Sequence, residues 1–267
     1  VVVYCTGMTR NGAYCMKNIG FLSGNAVKIL AAILMVVDHV GFFLFPDLII
    51  LRIIGRVSFP LFAYMLAEGR YTRDKALHFT VLFAVALLCQ VVYFFFDDGN
   101  LTMSVLVTFS LAVLMIYALQ FCKKKLADGA CPVSVKVLSC LLFVCTVAGT
   151  YILNEIFVID YGFVGCLLPV FPALFDFKDI PVPAVLGKLD NLYVKLACLA
   201  VGIALLPLGT DLGALEYYAF FALLPLRFYN GRRGKWRMKY FFYIFYPLHL
   251  APVSYTHLRA HETRRHL

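Results

Sequence analysis

Charge is what this chain is short of. Only 15% of its 267 residues are Asp, Glu, Lys or Arg, against about 25% in an ordinary soluble domain. That is too little to coat a water-facing surface. The chain has no CxxC pair and no Cys/His cluster at metal-ligand spacing. Its nine cysteines, of which Cys89, Cys140, Cys145, Cys166 and Cys198 sit inside apolar runs, therefore read as small packing residues. Neither a disulfide framework nor a metal site is expected. No glycine-rich phosphate loop occurs, since Asn230-Gly-Arg-Arg-Gly234 is too short and too basic for one. It reads as a turn that sets topology, with contact to anionic lipid or an anionic cofactor as the other reading. Repeats, heptads and the alternating pattern of barrel strands are missing too.

What is present is apolar: 62% hydrophobic residues and a mean hydropathy of +0.84. A helix needs about 20 mostly apolar residues to span a bilayer, and nine runs meet that roughly, at about 26–46, 48–68, 76–96, 101–122, 133–153, 158–176, 191–209, 212–229 and from 240 onward. Helices satisfy every backbone group within lipid. The expected fold is therefore all-α, a polytopic transmembrane helix bundle of about nine spans. The net charge of +9 does not signal nucleic acid, because it falls in short loops. Basic loops (Arg10, Lys17 and Lys28; Arg70, Arg73 and Lys75; Lys123-Lys-Lys125; Lys178 and Lys188; Arg232 to Lys239) alternate with acidic ones (Asp47; Asp97-Asp98; Glu155 and Asp160; Asp211). The positive-inside rule then places the N-terminus in the cytoplasm. The expected first partner is the lipid bilayer.

The two ends read differently from the middle. Residues 253–267 hold three of the six histidines, His257, His261 and His266, and VSYTHLRAHET looks like a translated sequencing adapter. The ninth segment is then expected to be truncated. Val1 is not a usual initiator and Met16 precedes the first apolar run, so residues 1–15 are expected to be upstream translation. A single membrane domain over 16–252 remains.

Ionisable residues within the apolar runs are the candidates for chemistry, because each costs about 2.5–3.5 kcal/mol to insert. Asp38 and His39 lie in the outer half of the first segment, and Arg52 and Arg56 lie near the start of the second. At 1.5 Å per residue all four fall about 6–12 Å from the outer face. Arg52 and Arg56 share one helix face, whereas Asp38 and His39 point about 100° apart. Asp38 is thus expected to pair with Arg52 or Arg56, leaving His39 toward a polar cavity as a proton acceptor. The other reading is an ion-pair cluster that fixes packing. Pro60 frees the carbonyl of Arg56 and should kink the second segment there. Glu68 closes that segment. Gln90, Asn100, Thr108, Asp160 and Tyr161 add polarity toward the outer half, and His249 falls near the midplane; together they suggest a polar cavity opening outward. The 25 Phe and 16 Tyr residues read as lipid-facing and interfacial filling.

Several stretches together, Ser23-Gly-Asn-Ala-Val-Lys28, Asp38-His-Val-Gly41, Leu51-Arg-Ile-Ile-Gly-Arg-Val-Ser-Phe-Pro-Leu-Phe-Ala-Tyr-Met-Leu-Ala-Glu-Gly69, Arg70-Tyr-Thr-Arg73, Asp160-Tyr-Gly-Phe-Val-Gly165 and Phe242-Tyr-Ile-Phe-Tyr-Pro-Leu-His249, resemble TraX-family membrane proteins over about residues 20–250. The resemblance implies an integral-membrane acetyltransferase with acetyl-CoA as co-substrate. Its acceptor would be an amine or hydroxyl on pilin or a cell-envelope polymer. It marks Asp38, His39, Arg52, Arg56, Glu68 and His249: His39 as general base oriented by Asp38, and an arginine holding the acceptor or the thioester oxyanion. The competing readings are a transporter or channel, against which no inverted repeat or paired broken helices are seen, and a structural membrane subunit.

Overall fold

The computed structural model describes residues 20–69, 74–96, 103–178, 180–210, 213–235, 238 and 241–249. The expected non-native ends (1–15 and 253–267) and Asn100 lie outside them. Among the described residues the chain is helical throughout, with two isolated parallel bridges, Leu22 to Tyr229 and Met103 to Ile159, and no strand.

Ser23 starts the first helix, α1 (Gly24–Phe43), with its Oγ accepting from the Ala26 N–H. The second apolar run splits into α2 (Ile49–Gly55) and α3 (Ser58–Glu68). The break falls at Arg56 and Val57, four residues before Pro60, whose missing N–H leaves the Arg56 carbonyl unclaimed. The irregularity expected from Pro60 thus falls where expected: the α-helical hydrogen-bond ladder lapses at Arg56 and Val57, although both keep right-handed helical dihedrals. Then follow α4 (Lys75–Phe96), α5 (Val105–Ala127) and α6 (Val133–Ile156). The central helix is α5, with 72% of its most apolar window buried, while α6 at 11% is peripheral.

The sixth run also breaks, into α7 (Gly162–Leu167) and α8 (Val170–Leu174), with Pro169 between them. In two of the apolar runs the hydrogen-bond ladder thus lapses once beside a proline while the backbone stays right-handed helical. A short α9 (Ala184–Gly187) leads to α10 (Leu192–Leu205), capped by the Asn191 side chain. Two 3₁₀ helices (Leu206–Leu208 and Gly213–Ala222), α11 (Leu223–Arg227) and α12 (residues 241–249) complete the chain.

Each of the nine apolar runs thus contains helix. Four stretches are long and apolar enough to cross a membrane: Gly24–Phe43, Ile49–Glu68, Val105–Ala127 and Val133–Ile156. The others are shorter or interrupted. Large apolar side chains along α4 and α6, such as Leu88, Val91, Leu138, Leu141 and Val144, stay more than half exposed. Water would penalise that surface; lipid would not.

Candidate active site within the helix bundle

Two glycines set the geometry. A Cβ on Gly41 would press on Leu51 Cβ, and one on Gly55 would fall on the Asp38 side chain. Their bare backbones let α1 and α2 approach closely, as small residues do between membrane helices. Asp38 then receives both arginines: Arg52 Nη1 donates to its Oδ2 at 2.9 Å, and Arg56 Nη2 to Oδ2 at 2.6 Å and Oδ1 at 2.8 Å. Arg56 Nη1 also donates to Glu216 Oε1 at 2.9 Å. Glu216, fully buried on the Gly213–Ala222 helix, closes a cluster of two cations and two carboxylates. Substituting Gly55 with alanine should overpack this crossing and cost about 1–3 kcal/mol. A thermal unfolding midpoint in detergent checks it; an unchanged midpoint would mean that the helices do not cross so tightly.

His39 meets His249 instead of Asp38. His39 Nδ1 lies 2.9 Å from His249 Nε2, with ring planes 7° apart. His249 Nδ1 lies 3.0 Å from the Phe245 carbonyl oxygen, one turn back in α12. A carbonyl only accepts, so His249 Nδ1 carries a proton. With both rings neutral, His249 Nε2 can then only accept, and His39 Nδ1 must donate to it. The proton on His39 is thereby held at Nδ1, and Nε2 keeps a bare lone pair. Among the described residues, Nε2 has no hydrogen-bond partner.

Asp160 and Tyr161 form a strained turn ahead of α7. Tyr161 adopts φ +61°, a left-handed conformation unusual for an aromatic residue. Its ring stacks on Phe59 at 3.8 Å and faces the Arg56 guanidinium at 5.7 Å. The Asp160 carbonyl accepts from Thr108 Oγ1 at 2.7 Å, and its carboxylate lies within electrostatic reach of Arg56, Asp38 and Glu216. Gln90 is spent on structure, its Oε1 accepting from the Ser104 N–H at 3.0 Å.

Glu68 belongs elsewhere. It ends α3 about 18 Å from Arg56 at the helical rise per residue, with Asp176, Asp190 and Lys195. Lys195 Nζ sits 2.8 Å from Asp190, 3.3 Å from Asp176 and 3.8 Å from Glu68. This group ties the end of α3 and the segments on either side of α9 to α10, at the end where α1 begins. Among the described residues no three His, Cys, Asp or Glu side chains converge as metal ligands.

Of the sequence candidates, Asp38, His39, Arg52, Arg56, Asp160, Tyr161 and His249 come together; Gln90 and Glu68 do not join them. The residue that sequence reasoning missed is Glu216. Its signal was available, an acid inside the eighth apolar run, where burial demands a cationic partner.

Long apolar helices around a buried charge cluster and a histidine pair define a helical membrane protein with an intramembrane polar site. The chain belongs to the TraX family, whose model, described as TraX protein, matches residues 23–255. It is also 32% identical over 91 residues to the uncharacterized protein RP591 of Rickettsia prowazekii (strain Madrid E), covering 34% of this chain and 35% of that protein. The chain therefore spans about a third of the length of the curated relative it matches. No solved structure matches.

Proposed function

We propose that this chain is a membrane-bound acyltransferase that moves an acetyl group from acetyl-CoA to an amine or hydroxyl acceptor, on pilin or an envelope polymer. It would sit in the bacterial inner membrane as a bundle of about nine spans, its N-terminus in the cytoplasm. The observation that carries this reading is the bare Nε2 of His39, held in one tautomer by His249 and the Phe245 carbonyl. A lone intramembrane histidine could be glue. A histidine whose other nitrogen is pinned through a second ring is oriented for proton transfer.

His39 Nε2 takes the proton from the acceptor nitrogen or oxygen as that atom bonds to the thioester carbonyl carbon. The same proton returns from His39 to the departing sulfur, so the ring ends as it began. Arg52, with a side chain only 16% exposed, is the guanidinium that would stabilise charge growing on the carbonyl oxygen. Asp38 and Glu216 hold the two arginines in place rather than the histidine. Arg56 Nε and Glu216 Oε2 are both buried without a hydrogen-bond partner among the described residues, so the cluster keeps one unused donor and one unused acceptor.

The second reading is a transporter. It is favoured by the lapses in the hydrogen-bond ladder at Arg56–Val57 and Leu168–Pro169, since irregular points in membrane helices often line substrate paths. Purified full-length protein separates the two. The acyltransferase consumes acetyl-CoA thioester and releases free thiol when supplied with an envelope extract. Thioester left intact, together with solute uptake into liposomes, would replace it with the transporter.

A further inference from the structure

A cationic group lies at the far end of the seam between α1 and α12, and the chemistry above does not use it. Residues 230–235 dock on the start of α1: the Gly24 N–H donates to the Arg232 carbonyl at 2.8 Å, the Asn25 N–H to the Arg233 carbonyl at 3.0 Å, and the Asn230 N–H to the Leu22 carbonyl at 2.9 Å. Gly234 makes the fit possible, with φ +97° and a would-be Cβ 3.0 Å from Ser23 Oγ. The loop is therefore seated, and its carbonyls already occupy amides at the α1 terminus. Its side chains Arg232, Arg233 and Lys235 remain exposed.

Lys28 completes the group. It is half-buried, its Nζ lies 5.8 Å from the centre of the Phe242 ring of α12, and Arg233 is within its electrostatic reach. Among the described residues, no carboxylate pairs with Lys28, Arg232, Arg233 or Lys235. Three like charges on one seated turn, with a fourth on the helix beneath it, repel one another unless an anion joins them.

The seam has a second end. Lys28 and His39 are 11 positions apart on α1, three turns, so they share a face about 16 Å apart at 1.5 Å per residue. Phe242 and His249 are seven apart on α12, two turns, and they too share a face. One pair of helices thus joins a cationic mouth, through the Lys28–Phe242 contact, to the histidine pair, through the His39–His249 contact.

We propose that Lys28, Arg232, Arg233 and Lys235 form a phosphate-binding mouth, which holds the phosphates of an acyl-thioester carrier while its extended arm runs along the α1–α12 seam to His39. The identity of the carrier rests on the proposed acyltransferase; the phosphate site does not. Two sources could supply such a group, a soluble coenzyme A phosphate or an anionic lipid headgroup.

The test uses the full chain in nanodiscs. Binding of labelled coenzyme A, with adenosine 3′,5′-bisphosphate as competitor, is measured in phosphatidylcholine discs. Retention of phosphatidylglycerol is measured by native mass spectrometry. The variants are Arg232→Gln/Arg233→Gln, both exposed, and Lys28→Gln, with Lys124→Gln, exposed and outside both sites, as control. The expected result is at least a tenfold loss of coenzyme A binding in both mouth variants, competition by the bisphosphate, and unchanged binding in K124Q. Phosphatidylglycerol retention lost in the mouth variants, without coenzyme A binding, would support the site and assign it to lipid. Phosphate and lipid binding unaffected by either mouth variant would overturn it and leave the turn as a topology signal. Mouth-dependent binding with normal acetyl transfer by H39A would retain the site and defeat the histidine chemistry instead.

Discussion

Replacing Arg56 with methionine is expected to be the most destabilising single change in this protein, at about 3–5 kcal/mol, the range for removing one partner of a buried pair. Arg56 joins two buried carboxylates, Asp38 and Glu216, on separate elements. Without it Asp38 keeps Arg52, but Glu216, with a side chain only 1% exposed, keeps no ion pair among the described residues. Methionine fills similar volume, so the loss reports charge rather than a cavity. Glu216→Gln should be milder, about 1–3 kcal/mol, because the amide oxygen still accepts from Arg56. The double variant should lose less than the sum of the two, since Glu216→Gln removes the very charge that Arg56→Met strands. Unfolding in detergent, followed by thermal midpoint and folded yield, checks all three. An R56M protein as stable as the parent would mean that the cluster is solvated.

His39→Ala carries the largest expected effect on rate. General base catalysis contributes about 10²–10⁴-fold, and the variant should lose that factor in acetyl transfer while folding normally. Normal folding is expected because Asp38, Arg52, Arg56 and Glu216 do not depend on the ring. His249→Ala should lose less, since it releases the tautomer and orientation of His39 without removing the base. The double variant should then be no slower than His39→Ala alone, because a positioning residue has nothing left to position. Additive losses would give His249 a separate role. Steady-state transfer rates of the three variants, measured at equal folded concentration, decide between these.

Much of this architecture is legible from sequence, for identifiable reasons. The run expected at 26–46 is a helix at Gly24–Phe43, because a twenty-residue, mostly apolar stretch behind Ser23 has few alternatives in lipid. Counting depth along two consecutive antiparallel helices placed Asp38 beside the arginines, and the structure joins it to both. Pro60 marked the break at Arg56 because the lost N–H acts at a fixed distance back along the chain. The remainder depends on which helices are neighbours. His39 and His249 are 210 positions apart, and nothing local says that α12 lies against α1. The adjacency of Asp38 and His39 suggested a partnership, yet neighbours on a helix point about 100° apart, so each found its partner on a different element. Glu216 was hidden because its run was weighed as a span, where one acid hardly changes the hydropathy. The interruption at Leu168–Pro169 was hidden in the same way.

The central claim is that the pinned histidine pair accepts a proton during acyl transfer. It is tested most directly by supplying labelled acetyl-CoA and envelope extract to full-length protein in nanodiscs, parent and His39→Ala side by side. The account predicts that the parent releases one free thiol for each acetyl group fixed on the acceptor, and that His39→Ala, equally folded, slows both together by at least a hundredfold, the lower bound for a lost general base. Transfer by His39→Ala at the parent rate would contradict it.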